Sequence, residues 1–369
     1  MSKAAELAAL IGSQSALSNR NLIINGAMQV AQRSTSETGL GGASGYFTLD
    51  RFKAPVTSSG RFTMAQTAIT DLPGFANALH LDCTTADTSI AADENLIIEH
   101  KFEGQDLQRL QKGTSSAKPI TVSFYAKANA AFTFVVELYD LDNTRNITQK
   151  FTTSTSWTRH TLTFPGDTSG AFDDDNAASM NINFWLHSGT TFGGTGGTFV
   201  DNTWGTPTNA NRTSGISSFF SSTDNDLKIT GVQLEVGEQA TPFEHRSYGD
   251  ELARCQRYYE KTYPYATTPG TASSYNTINA LGMAGMDEET SGQRYMTFPW
   301  MVEKRAAPTL TIYDQAGNSG KVTTLNNAGG QTHNVSVALA FAGTYVMGAG
   351  PSNSAIWGLT FFCVGDSEL

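Results

Sequence analysis

Charge is what this chain has least of. Asp, Glu, Lys and Arg supply 16% of its 369 residues, against about 25% in an average soluble domain. The formal net charge is −10 and no basic tract occurs, which argues against capture of nucleic acid or of an anionic membrane surface. Cysteine is scarce too. Cys83, Cys255 and Cys363 are odd in number and widely spaced, so they form neither a disulfide framework nor a CxxC zinc pattern. Cys255 lies on an apolar helical stripe and Cys363 in an apolar run, so buried free thiols are expected. No apolar stretch approaches the ~20 residues of a membrane-spanning helix. The first residues are too few, and Glu6 too polar, for a secretory signal, so synthesis in a cytoplasm is expected. No repeat of about 20–50 residues recurs, which sets solenoids and propellers aside.

Catalytic motifs are missing as well. The six histidines are isolated, with no HExxH pair and no GxSxG elbow. The GGTGG run near 193–197 lacks the Lys-Ser/Thr ending of a phosphate loop. Glu99 and Glu103 read as solvated charges on one strand face. Carboxylates can still meet in space, but the expectation is a protein without enzymatic activity and without a cofactor. Asp173, Asp174 and Asp175 form the one acidic cluster. Oxygen-rich loops suit calcium, yet EF-hand spacing is absent, and a solvated turn is the simpler reading.

What is abundant is glycine (35 residues) and phenylalanine (21), with Ser, Thr and Asn between them. That mixture suits antiparallel β-structure, where turns take Gly and Asn and pleated faces take Thr and aromatics. Val122, Phe124 and Ala126 alternate with polar residues, and Phe132, Phe134, Val136 and Leu138 do the same. Further strands are expected at Phe47–Val56, Arg61–Ala68, Ala78–Thr84, Asn95–Phe102, Thr158–Phe164 and Met180–His187, with a short helix at Gln105–Gln111. About ten strands without βαβ alternation indicate a mainly β fold, an antiparallel jelly-roll sandwich. Thr190–Ser222 has no periodicity and reads as a long surface loop. Beyond it, Arg294–Met301, Thr309–Tyr313, Val335–Phe341 and Trp357–Val364 predict a second, smaller C-terminal β-sandwich.

Between the two lies Gly231–Lys261. Val232, Leu234 and Val236 alternate with Gln233 and Glu235, whereas Leu227 and Ile229 have the opposite phase, so a bulge is expected near Thr230–Gly231. Tyr248, Leu252, Cys255 and Tyr259 then take helical spacing. The organisation expected is an N-terminal arm at 1–18, whose short helix either docks through Leu7, Leu10 and Ile11 or is a frayed terminus, then a jelly roll at 19–246, a connecting helix at 247–262 and a β-sandwich at 263–369.

This junction, with Asn19–Arg33 (NRNLIINGAMQVAQR), Gly45–Phe52 (GYFTLDRF), Arg294–Tyr313 and the closing run Trp357–Leu369, resembles the tail-fibre and receptor-binding structural proteins of tailed bacteriophages that carry a carbohydrate-binding-module-like jelly roll. The resemblance implies a virion protein, a tail fibre or spike, exposed on the tail or capsid surface and attaching to a host-surface glycan. It implies other virion proteins as partners, a tail adaptor, nozzle or capsid, and a homo-oligomer, by family habit a trimer. A capsid decoration or head-fibre protein and a purely architectural connector would share these features. A polysaccharide depolymerase would need converging acids.

On the strand at Met180–His187, the even positions form one apolar face and Asn181, Asn183, Trp185 and His187 project from the other. A Trp among Asn and His on a wet face needs a partner. By the residues alone, cover by the loop or by another subunit is the simpler explanation. The resemblance makes these four, with Trp204 of the loop, a candidate carbohydrate site, because sugar rings stack on aromatics and their hydroxyls pair with amides. On that view Trp185→Ala weakens host adsorption and leaves folding intact.

Overall fold

A computed structural model describes residues 19–194, 196–273, 281–284, 294–326, 329–349 and 358–369. The expected docking residues Leu7, Leu10 and Ile11 lie outside them. Two compact units are formed. One comprises Ser36–Tyr248 with the chain up to Gln29, the other Gly249–Leu369 with Val30–Thr35. The unbroken jelly roll expected from 19 to 246 is therefore interrupted, because Val30–Thr35 packs with the second unit.

The first unit runs β1 (Ser36–Leu40), β2 (Val56–Thr57), β3 (Arg61–Ala68), β4 (Asn77–Thr85), β5 (Asn95–Glu103), β6 (Ile120–Ala128), β7 (Thr133–Asp140), β8 (Arg145–Thr152), β9 (Thr158–Phe164), β10 (Ala178–Ser188) and β11 (Asp226–Val236). They make two antiparallel sheets, β1-β3-β4-β11-β6-β9 and β2-β5-β10-β7-β8, as the alternation required. Phe62, Leu81, Val122 and Phe124 of the first sheet are buried, as are Ile98, Val136, Ile182 and Phe184 of the second. Phe124 meets Phe184 edge-on at 5.0 Å between centroids, a favoured aromatic geometry that joins the layers.

Local departures have local causes. Phe47–Val56 is mostly turn, with only its last residue in β2. Arg51 within it is buried at φ 71°, a conformation strands do not use, and donates to the Lys101 carbonyl at 2.7 Å. The helix expected at Gln105–Gln111 is one α turn, α1 (Gly104–Leu107), followed by a 3₁₀ turn at Gln108–Leu110. Gln111 at φ 51° stops it. The polar strand β8 has no clean alternation, and the sequence reading did not find it.

The bulge falls where the phase change put it. Gly231 has φ 62° and the β11–β6 register shifts between Thr230 and Gln233. Beyond it, the N-terminal segment docks on β11. Asn21 accepts from the Ile23 and Leu234 amides at 2.9 and 3.0 Å and donates to the Val232 carbonyl at 3.1 Å. Gly26 is required next to this contact, since a Cβ there would lie 2.1 Å from the Val232 oxygen.

The second unit opens with α2 (Tyr248–Gln256). The helix is shorter than the expected 247–262, and Tyr259–Lys261 is strand β12 instead. There follow β13 (Leu281–Ala284), β14 (Arg294–Pro299), β15 (Thr309–Tyr313), β16 (Lys321–Asn326), β17 (Gly329–Ala340), β18 (Thr344–Ala349) and β19 (Gly358–Asp366), all antiparallel. β19 changes partners midway, pairing β15 over Phe362–Asp366 and β16 over Gly358–Thr360. Trp300, Tyr345, Met347, Phe361 and Cys363 form its core. Arg33 of the inserted segment bridges Asp366 at 3.1 Å and stacks on Tyr259 at 3.7 Å. Cys83, Cys255 and Cys363 are buried and unbridged. Among the described residues no helix is long and apolar enough to cross a membrane.

Candidate functional site

On the outward face of the five-stranded sheet, the register sets side chains in rows across strands about 4.8 Å apart. Lys101, Asn181 and Tyr139 form one row, Glu99, Asn183 and Glu137 the next, and Ile97, Trp185 and Val135 the third. Each asparagine hands its amide N–H₂ to a carboxylate. Asn181 donates to Glu99 at 2.7 Å and Asn183 to Glu137 at 3.0 Å. A carboxylate only accepts, so both amides are oriented, and both Oδ1 atoms are left buried with no hydrogen-bond partner.

These rows floor a cleft of about 360 Å³, with Pro55 and Thr57 on one rim and Tyr139, Leu141 and Arg212 on the other. The size falls within the range of small-ligand sites. The far rim is built by the segment between β10 and β11, which lies along the edge strand β8. It bridges at Thr148–Asp201 and Asn146–Gly205 and sends Ser217 N–H to the Thr133 carbonyl at 2.8 Å. The edge of β8 is thereby covered, as exposed edges usually are.

Arg212 of that segment reaches Glu137 at 2.8 and 2.7 Å through Nε and Nη2 and lies over Trp185 at 4.8 Å. Burial would raise the Glu137 carboxyl, but the Arg212 charge and bonds, with those of Asn146 and Trp185, hold it below the usual range. Glu99 goes the other way. Burial raises it, and Lys101 and Lys53 only partly oppose this.

The predicted residues divide. Asn181, Asn183 and Trp185 share the cleft, but Trp185 is only 1% exposed and clusters with Ile97, Val135 and Phe192. Its indole N–H is satisfied by Glu137 at 2.9 Å. The loop covers it, which argues against the expectation that Trp185→Ala spares folding. His187 lies past a register shift, outside the cleft, against Ser218 and Glu94. Trp204 is elsewhere, its N–H on the Pro165 carbonyl at 2.7 Å. Asp173, Asp174 and Asp175 are exposed. Asp175 caps its own turn at the Ala177 amide, and among the described residues this run is not a place where three ligand groups converge. Glu99 and Glu103, expected in solvent, are buried.

Sequence reasoning missed Glu99, Glu137, Tyr139 and Arg212 as one group. One signal was present. Arg212 is the only basic residue in Thr190–Ser222, where Asp201 is the only acidic one, and a lone cation in so sparsely charged a loop asks for an anion.

No protein-family model and no curated protein matches the chain. Among solved structures, a carbohydrate-binding module of family 4 is similar at 13% identity and TM-score 0.30, over 57% of this chain and 97% of that one. A family 61 module in complex with β-1,4-galactotriose aligns at 6% identity and TM-score 0.29, over 60% of this chain and 100% of its own. The enzymatically active domain of bacteriophage CBA120 tailspike protein 4 aligns at 12% identity and TM-score 0.31 over 58% of this chain. The match spans 21% of that tailspike's length. The sandwich stands on its own strand order.

Proposed function

We propose that the first unit is a glycan-binding module without hydrolytic activity. One observation carries the reading. Two pre-oriented asparagines, Asn181 and Asn183, line a cleft flanked by Tyr139, and their buried Oδ1 atoms have no hydrogen-bond partner. Unsatisfied buried acceptors cost free energy until a donor arrives, and sugar hydroxyls are donors of the right size. Tyr139 and the partly buried Phe192 offer the apolar surface a pyranose face needs. Glu99, with its raised carboxyl, adds a second hydrogen-bonding group beside them.

The same geometry weighs against a depolymerase. Glycoside hydrolysis asks for a carboxylate free to attack or to activate water. Glu137 is already held by Arg212, Asn146, Asn183 and Trp185. Together with the sequence resemblance, the cleft supports a virion structural protein, a tail fibre or spike holding the host surface by repeated weak contacts, whose avidity comes from high effective concentration. A homotrimer suits that role.

A glycan array probed with the full chain tests the binding claim. Binding to at least one polysaccharide class is expected, and it should drop in Tyr139→Ala and Asn183→Ala while the unfolding midpoint of Tyr139→Ala stays put. Silence across the array, or variants that bind like the native protein, removes the reading. Shortening of any bound polysaccharide would overturn the non-enzymatic part.

A further inference from the structure

The turn between β4 and β5 behaves oddly for an exposed segment. Thr84 to Asp93 are all exposed except Asp87, which is only 6% exposed, while Ile90 is left 37% exposed. Loops ordinarily turn an apolar group inward and leave the carboxylate in water. Here the reverse occurs. Asp87 Oδ1 accepts the Ser89 amide at 3.0 Å, but Oδ2 is buried with no donor.

Asp87 meets two further buried groups. Glu94 Oε1 accepts the Ser59 amide at 3.2 Å, and its Oε2 is 3.3 Å from His187 Nε2. One ligand atom from each of the three lies within 4.8 Å of the others. Among the described residues neither carboxylate is paired with Lys or Arg, and the ion-pair partner of Glu94 is His187 itself. Its Nδ1 is 2.8 Å from Ser218 Oγ, an oxygen that also accepts the Phe220 amide. Ser218 thus fixes one nitrogen while the other, Nε2, points at Glu94 Oε2; metal-ligating imidazoles are oriented in the same way, by a hydrogen bond on the nitrogen away from the ion. Two buried carboxylates without a cation carry a large desolvation cost, and one divalent ion with a neutral imidazole would bring the local charge to zero.

We propose that Asp87, Glu94 and His187 form a divalent metal site of zinc type. One nitrogen and two oxygen donors suit that borderline ion and leave a coordination position for water. The ion staples the exposed turn to the end of β10 and, through Ser218, to the covering loop. Gly189 confirms how close these parts lie, since a Cβ on it would stand 2.0 Å from the Ala91 oxygen. None of the three residues lines the cleft, so this site stands or falls independently of glycan binding.

The competing occupant is a proton shared between Asp87 and Glu94, and the full chain can tell the two apart. The metal content of protein purified without chelator is measured, the protein is stripped with EDTA, and thermal unfolding is followed while Zn²⁺ is returned. About one zinc per chain is expected, with a midpoint rise of about 5 °C at saturating ion. Asp87→Asn and His187→Gln should each abolish that rise. Stripped Asp87→Asn should melt no lower than the stripped native protein, because an amide relieves the carboxylate pair. The proposal is overturned if the native protein carries no zinc and its midpoint ignores Zn²⁺. It is equally overturned if the variants respond as the native protein does, which places the ion elsewhere.

Discussion

Arg212 closes on Glu137 with two hydrogen bonds of 2.8 and 2.7 Å, from a loop residue to a strand residue 75 positions away. Glu137 is fully buried, so the pair is a bidentate, charge-assisted clamp that fastens the covering segment to the sheet beneath it.

Removing one half leaves the other charge buried and unmatched. Arg212→Ala should destabilise the first unit by about 3–5 kcal/mol, whereas Arg212→Ala combined with Glu137→Gln should recover much of the loss. Urea unfolding of the single and double variants measures this. Additive losses in the double variant would mean the two residues act separately.

Trp185 belongs to the same fastening. Trp185→Ala should cost about 3–5 kcal/mol by leaving a cavity, while Asn183 and Arg212 keep the Glu137 oxygen satisfied. Its unfolding midpoint should fall by several degrees. An unchanged midpoint would show that the indole is dispensable to packing.

Gly26 makes a backbone prediction. With its Cβ position 2.1 Å from the Val232 oxygen, Gly26→Ala must push the N-terminal segment off β11 and break the Asn21 contacts. A loss of a few kcal/mol is expected, with faster amide exchange at Leu22 and Leu234. Protection unchanged at those amides would contradict the docking.

Acid should weaken the first unit through its buried and half-buried histidines. Burial holds His100 well below its ordinary value, and it lowers His160 and His80 as well. His100 accepts the Ile24 amide at Nε2 and sits between the Phe52 and Phe102 rings, so its folded form is neutral. The unfolded chain takes up protons below about pH 6.5 while the folded chain does not. Stability is therefore complete above that pH and declines as pH falls toward the folded-state values. Urea midpoints at pH 7.5, 6 and 5 should decrease in that order, with a shallower decline in His100→Phe. A flat profile would rule out neutral burial.

What the sequence determined by itself was what repeats locally. Alternation at Val122–Ala126 and Met180–Leu186 dictated strands, because a pleat exposes every second residue to one face. The phase change around Thr230 announced a bulge, because one extra residue is the only way to keep both halves of the strand facing the core. The odd count and wide spacing of the cysteines told of unbridged thiols. Tertiary structure alone decided the rest. Whether Trp185 faced solvent or a lid depended on a loop without periodicity, anchored by Arg212. The rows that set Glu99 and Glu137 on either side of Asn183, and the meeting of Asp87, Glu94 and His187, are products of strand register between distant segments. Such contacts leave no local imprint, since each partner satisfies its own backbone pattern whichever neighbour the fold supplies.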